Sequence, residues 1–268
     1  MTMTFINRNL ERVRHETRIR LLQVSAIADI TPLMRRITLG GPDFTGFVSL
    51  GYSDHVKVFV AADGKPLPKP TLTPEGLAFP DDVPRPLMRD YTPRRFDPQA
   101  GTLDIDFVLH GDGPAASWAA QAAIGQDLMI GGPRGSLIVP TNFDWYFFAG
   151  DETALPAIGR RIEELPAGAR AIAVIEIANA AEEQQFATEA DVKLVWVHRN
   201  GIEPGTDDQL VSATAALDFP AGDGFAFVAA ESRVTKALRQ HLVAERGFNP
   251  EWLKAAGYWV RGEAGAHD

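Results

Sequence analysis

From Arg18 to about Ser136, apolar and polar positions alternate in short stretches: RIRLLQV, MRRITL, HVKVFVA, RDYT, TLDIDFVL and DLMIG, broken by Gly, Pro and Asp. Alternation with a period of two marks strands with one buried face, and many short strands in succession mark an antiparallel barrel or sandwich. In TLDIDFVL the side chains of Leu103, Ile105, Phe107 and Leu109 fall on one face. RDYT reads as one strand in which Arg89 and Tyr91 point the same way and Thr92 the other. Seven prolines stand between Pro66 and Pro86. That is too many for a helix or a central strand, so an ordered loop or covering flap is expected there.

After Asn142 the rhythm changes. Continuously apolar runs (WYFFAG, AIAVIEIA, KLVWVHR, FAFVAA) alternate with amphipathic stretches: ALPAIGRRIEEL, a short one around Leu210 to Ala216, and SRVTKALRQHLVAERG. Such strands belong to a parallel sheet covered on both faces. In the last stretch Val234, Ala237, Leu238 and Leu242 form a helical stripe, with Gly247 suited to the C-terminal cap. The expected architecture is therefore an N-terminal antiparallel Greek-key β-barrel over residues 1–142, followed by a Rossmann-like α/β domain with a parallel sheet over residues 143–268. Such a pairing suggests two ligands meeting at a domain junction.

Composition narrows the chemistry. A net charge of −9 and a pI near 5.2 disfavour nucleic acid and anionic membranes, so an anionic ligand needs a local cationic pocket. Cysteine is absent, which excludes disulfides and thiolate-bound metals or iron–sulfur clusters, and makes the cytoplasm the default compartment. Redox chemistry then requires a bound cofactor. The N-terminal stretch lacks a signal-peptide apolar core, and no apolar run approaches the ~20 residues of a membrane span. No spaced His/Asp/Glu set suggests a metal, and the scattered histidines suggest no Ser–His–Asp catalysis.

Three stretches have the look of ligand loops. HGDGPAASWAAQA (110–122) leaves a strand through glycines and enters a helix with Ser117 as a possible N-cap; free amides at a helix start suit a phosphate, although an ordinary strand-to-helix turn would look the same. GGPRGS (131–136) is a tight turn with one arginine. AGDETALPAI (149–158) falls where the first α/β strand meets its helix, the usual place for a pyrophosphate. It is not a GxGxxG fingerprint, and Asp151 and Glu152 equally suit a helix dipole.

RDYTPRRFD, VLHGDGPAASWA, IGGPRGS, AGDETALPAI and GYWVRG, in that order, resemble the siderophore-interacting protein family, flavin-dependent ferric-siderophore reductases of the ferredoxin–NADP reductase superfamily. The resemblance runs from RVRHETR at residue 12 to Gly262. It implies FAD bound mainly by the barrel, with Tyr91 on the isoalloxazine, Thr92 near its N5/O4 edge, Arg89 toward the phosphates and Arg94 in the same motif. His110, Gly113, Pro114, Ala115 and Trp118 match the segment on the pyrophosphate and adenine side. One departure stands out. The family reads GPAS where this chain has Gly113-Pro114-Ala115-Ala116, with Ser117 one position later, so either Ser117 supplies the hydroxyl or backbone amides suffice.

The same resemblance gives Gly150, Asp151, Glu152, Thr153 and Ala154 to a nicotinamide dinucleotide, and Lys57, Arg134 and Arg261 to the siderophore. It implies hydride transfer from NADH or NADPH to the flavin, or electrons from a reduced ferredoxin in some members, then single-electron transfer to Fe(III) and release of the more weakly held Fe(II). No side chain need act as acid or base. Expected partners are a ferric siderophore and, where electrons come from one, a reduced ferredoxin, for a cytoplasmic monomer without nucleic-acid binding or membrane insertion. Two alternatives remain open: a general flavin oxidoreductase with a protein acceptor, and a siderophore carrier that does not reduce its ligand.

Overall fold

The computed structural model describes residues 7–61, 67–68, 70–73, 76–80, 85–109, 111, 113–263 and 265–266. The chain forms two compact units. One is Arg12–Leu137; the other joins the residues up to Glu11 with Ile138–Asp268. This differs from a division at 142/143. The N-terminal residues join the second unit because the buried Arg8 guanidinium bridges Asp144 and Asp223, and its Nε donates to the Asn142 carbonyl at 3.1 Å.

The first unit is built on a curled antiparallel sheet of seven strands. In spatial order these are β7 (Leu87–Tyr91), β4 (Val56–Val60), β10 (Asp127–Gly131), β2 (Ile19–Thr31), β3 (Met34–Gly40), β9 (Thr102–Val108) and β8 (Pro93–Asp97). All described pairings among them are antiparallel. β7 and β8 are the two edges of the sheet, yet only Thr92 separates them in the chain. Two Cα steps span at most about 7 Å. The sheet must therefore curl until its edges meet, which makes it a barrel.

RDYTPRRF is consequently not one strand running on past Tyr91. The chain turns a corner at Thr92, and the local reason is Pro93. Its missing N–H suits the first position of an edge strand, and its ring restricts the residue before it to extended backbone. Of the expected inward set, Leu103, Ile105 and Phe107 are fully buried, packed with Leu22, Ile37, Val56, Val58 and Ile130, and Leu109, just past the end of β9, is half-buried against that cluster. Among the described residues this unit also has a short pair, β1 (Glu11–Arg14) with β11 (Gly135–Ile138), and a hairpin, β5 (Thr71–Thr73) with β6 (Gly76–Ala78). The hairpin lies in the proline-rich segment, much of which falls outside the described residues.

Helix α1 (Pro114–Gln121) follows β9. It begins earlier than Ser117 as a cap would require: Gly113 is the N-cap, Pro114 fills the first position, and the Ser117 amide already donates to the Gly113 carbonyl at 2.8 Å. Proline is well placed there because a first-turn N–H has no helical partner anyway.

In the second unit a five-stranded parallel sheet has the order β14 (Asp191–His198), β13 (Arg170–Ile177), β12 (Trp145–Gly150), β15 (Gly224–Glu231), β16 (Leu253–Trp259). Helices α2 (Leu155–Glu164), α3 (Gln209–Ala215) and α4 (Ser232–Gln240) connect its strands. β12 is buried along its whole length, as its apolar sequence demands. The chain winds outward in both directions from β12, so strand order reverses between β12 and β15; that is the crevice at which α/β sheets take ligands. The expected stripe buries Val234 and Leu238 on α4 and Leu242 in the π-helical turn His241–Glu245 that follows it, with Ala237 half-buried, and Gly247 comes after it at φ +71°, a conformation that glycine adopts without strain.

Gly150 ends β12 under tight constraint. A Cβ there would lie 2.4 Å from the Ala229 carbonyl oxygen and 2.7 Å from the Ala154 Cβ. Gly150→Ala is expected to cost about 1–3 kcal/mol through forced backbone displacement. A urea midpoint that falls at unchanged slope is the measurement that checks this.

Candidate functional site

The corner at Thr92 groups the barrel residues singled out by sequence. β7 pairs with β4 so that Arg89 faces Val58 and Tyr91 faces Val56. Arg89 and Tyr91 share a face, as strand alternation requires. The Tyr91 ring packs 4.4 Å from that of Phe107, centroid to centroid, and Phe107 lies 5.6 Å from Trp118 on α1. Phe107 is thus the buried link between the tyrosine of one motif and the tryptophan of another. Burial drives the Tyr91 hydroxyl well above its ordinary pKa, against the smaller opposing pull of the Arg89 charge. Thr92 is 7% exposed, and its hydroxyl has no hydrogen-bond partner among the described residues. The half-buried Arg89 makes one such bond, to the Met88 carbonyl at 2.8 Å.

Arg94 goes elsewhere. Its buried guanidinium lies 3.7 Å from Asp106, which also takes a bidentate pair from Arg36 at 2.6 and 2.8 Å. Asp106 and Phe107 are consecutive in β9 and leave it on opposite faces, so Arg94 is separated from the face that carries Tyr91. Around α1, Pro114 is half-buried and Ala115 buried in the barrel core. Among the described residues no side chain caps the first turn, and a Cβ on Gly113 would meet nothing within 4 Å. His110 lies outside the described residues.

The cations expected to meet a siderophore differ in their surroundings. Lys57 is ion-paired with Asp90 across the β4–β7 ladder at 2.8 Å. Arg134 is exposed, and its backbone carbonyl anchors the His15 amide at 2.9 Å. Arg261 is exposed, with its amide 3.4 Å from Glu231 Oε1. Neither arginine has a side-chain hydrogen bond or ion pair among the described residues.

At the strand-order reversal of the α/β unit, each residue of the GDETA turn has an internal partner. The buried Asp151 carboxylate accepts from the Thr153 amide and hydroxyl (2.9 and 2.5 Å), the Glu231 amide (3.1 Å) and the Trp259 indole N–H (2.8 Å). Trp259 of the GYWVRG motif is therefore a tether between β16 and the end of β12. Glu152 forms a bidentate pair with the buried Arg199 at 2.5 and 2.6 Å. Gly150 and Ala154 are in contact range of packing neighbours rather than open space. Glu231 uses its own carboxylate to cap α4, accepting from the Arg233 and Val234 amides at 2.7 and 3.2 Å.

Glu176 completes this network and was not singled out from the sequence, although a lone charge inside the apolar run AIAVIEIA is a readable signal. Arg199 spends its fork on Glu152 and reaches Glu176 with one contact at 3.4 Å. One cation thus faces two carboxylates. Burial above all pushes the Glu176 pKa up to about 7, against the pull of Arg199; burial and the neighbouring Glu152 push Asp151 up to about 6.

Barrel, parallel sheet and corner together define a two-unit flavin reductase type of fold. The description "Siderophore-interacting FAD-binding domain" matches residues 23–137, and "Siderophore-interacting protein" matches residues 143–262. The chain is 36% identical over 253 residues to an NADPH-dependent ferric-chelate reductase of Escherichia coli, covering 93% of this chain and 96% of the relative. It is 32% identical over 252 residues to a ferric vibriobactin reductase of Vibrio cholerae, covering 91% and 90%. A siderophore utilization protein from T. fusca superposes with a TM-score of 0.89 at 39% identity, over 96% of this chain and 98% of that one. This protein belongs to the siderophore-interacting protein family. Among the described residues no helix is long and apolar enough to cross a membrane.

The carboxyl cluster predicts how stability depends on pH. Glu176 and Asp151 have folded pKa values above their ordinary 4.5 and 3.8, so the fold prefers their neutral forms. Their contribution is complete below about pH 4 and is lost as pH rises through 6 and 7. For Glu176 alone the shift is worth on the order of 3 kcal/mol. The melting temperature is expected to fall between about pH 4 and 7 and to level off above that, and Glu176→Gln to flatten the fall; differential scanning calorimetry across the range checks it.

Proposed function

We propose that this protein is an FAD-dependent reductase that takes the iron of a ferric siderophore from Fe(III) to Fe(II), with electrons from NADH or NADPH or from a reduced ferredoxin. The observation that carries the proposal is the corner at Thr92. It sets the Tyr91 ring, a cation and a free hydroxyl at the edge of an aromatic cluster, in a chain whose relatives at 36% and 32% identity are named as ferric-chelate and ferric vibriobactin reductases. FAD supplies the exchange between hydride and single-electron chemistry when it is bound.

The residues present fit that group. Tyr91, backed by Phe107 and Trp118, offers a flat apolar surface to a tricyclic ring. The unpartnered Thr92 hydroxyl suits a polar ring edge. Arg89 offers charge to phosphates, and the first turn of α1 offers amides that no side chain occupies. Arg94, held by Asp106, supports the corner from the far side of β9 in this reading. The family's missing serine is then covered by backbone amides, because Ser117 lies inside the helix and Ala116 is buried.

A ferric siderophore brings its own ligands to iron, so the chain needs cations for the complex rather than ligands for the metal. Arg134 and Arg261 have uncommitted guanidinium groups for this. Lys57 brings no net charge while Asp90 holds it, and its role is to orient rather than attract. With a net charge of −9, attraction rests on such local contacts. At the α/β switch point the GDETA turn is filled by its own carboxylates. A nicotinamide donor would then be held by groups other than those amides. The reading places a monomer in the cytoplasm, where released Fe(II) is of use.

The test is anaerobic mixing of purified protein, FAD, NADPH or NADH and a ferric siderophore with an Fe(II) trap. The expected result is a flavin spectrum and appearance of trapped Fe(II), with Arg134→Glu raising KM about tenfold, ~1.4 kcal/mol. Tight siderophore binding without trapped Fe(II) would make the protein a carrier. Turnover with a carrier protein that ignores charge reversal at Lys57 and Arg261 would make it a general flavin reductase.

A further inference from the structure

A cavity of about 300 Å³ lies in the barrel unit, lined by Arg14, His15, Glu16, Arg18, Arg20, Gly46, Val48, Gly132 and Pro133. Its position follows from strand register. Tyr91 faces Val56 on β4, Gly131 of β10 faces Lys57, and the Gly132 amide donates to the Arg18 carbonyl at 3.0 Å. Tyr91, Val56, Gly132 and Arg18 thus form one row across four neighbouring strands, about 14 Å from end to end at the usual strand spacing. The cavity lies on the rim that carries the Tyr91 corner.

The charge balance of this cavity is incomplete. Arg20 is buried at 3% exposure. Among the described residues its guanidinium donates only to neutral carbonyls, those of Gly132 (3.2 Å) and Gly46 (3.1 Å), its Nε has no hydrogen-bond partner, and its charge lies 5.4 Å from the centre of the Phe47 ring. Burial lowers its pKa, Arg18 adds to that, and Asp43 and Glu16 oppose it more weakly. Arg18 is paired with Glu16 at 2.7 Å, while the exposed Arg14 has no side-chain partner among the described residues. Three guanidinium groups against one lining carboxylate leave an excess of positive charge in a chain that is acidic overall.

The cavity wall is also built to hold its shape. The Ser136 hydroxyl donates to the buried Asp54 carboxylate at 2.6 Å and accepts from the Leu50 amide at 3.0 Å, so His15 Nε2, at 2.8 Å, donates to its remaining lone pair. This order, Asp–Ser–His, makes the serine a strut and not a nucleophile, and among the described residues His15 Nδ1 has no hydrogen-bond partner. A Cβ on Gly135 would lie 2.5 Å from the Val13 carbonyl oxygen. Glycine there lets β1, which delivers Arg14 and His15, close on β11.

We infer that this cavity is an anion subsite that takes a free carboxylate at the periphery of the ferric chelate, an inference that rests on the reductase reading. Guanidinium forks match a carboxylate in plane and charge. The subsite would favour chelates with ionised carboxylates over those whose acidic groups all lie on the iron.

The test uses the full chain and the double variant Arg14→Ala/Arg18→Ala, with Arg170→Ala, an exposed arginine at the start of β13, as a control for lost charge. Titration calorimetry with trisodium citrate is expected to show binding to the wild type that weakens at least tenfold in the double variant and stays the same in Arg170→Ala. In turnover, the ratio of KM for ferric citrate to KM for ferrioxamine B, which has no free carboxylate, is expected to rise about tenfold in the double variant. Absence of citrate binding, equal loss in Arg170→Ala, or displacement of citrate by inorganic phosphate at the same concentration overturns the subsite. If neither chelate is reduced, the reductase reading fails, and the citrate titration decides the subsite alone.

Discussion

One covalent constraint organises the barrel: the two edge strands of a seven-stranded sheet are joined through a single residue, Thr92. Closure cannot relax without breaking the β4–β7 or the β8–β9 ladder, since the chain offers no slack between Tyr91 and Pro93. The aromatic cluster singled out in this unit lies at that seam. Tyr91 meets Phe107 across it, Phe107 meets Trp118, and Arg89 and the Thr92 hydroxyl lie one or two residues away. A corner held by backbone connectivity is rigid, and rigidity is what a site for a planar redox group needs.

The α/β unit solves a different problem. Its switch-point crevice holds four carboxylates, Asp151, Glu152, Glu176 and Glu231, which have partners in Arg199, the Trp259 indole and backbone amides. Two of them keep raised pKa values because burial disfavours their charged forms, against the pull of Arg199 at Glu176 and together with the neighbouring Glu152 at Asp151. The GYWVRG segment gains a structural meaning from this, because its tryptophan ties the last strand to the first.

Much of this architecture was legible in the chain. Period-two alternation in TLDIDFVL gave the buried row Leu103, Ile105 and Phe107, and continuous apolarity in WYFFAG gave a strand buried on both faces. Five motifs in order gave the family. Three features were not legible because they depend on partners far away in sequence. The break at Thr92 comes from strands that lie at opposite edges of a sheet, an arrangement local alternation does not encode. Arg8 joins the second unit through Asp144 and Asp223, more than a hundred residues on. Arg94 and Lys57 look like free cations in the sequence, but Asp106 and Asp90 hold them. Glu176 differs from these, because a lone charge amid the apolar neighbours of AIAVIEIA is a local signal.

The central claim is that the Thr92 corner holds the flavin, and FAD titration of the apoprotein followed by quenching of flavin fluorescence tests it most directly. Wild-type protein is expected to bind one FAD per chain, with affinity falling at least tenfold in Tyr91→Ala and in Arg89→Ala while each variant keeps its circular dichroism spectrum. Unaltered FAD affinity in both folded variants would contradict the account.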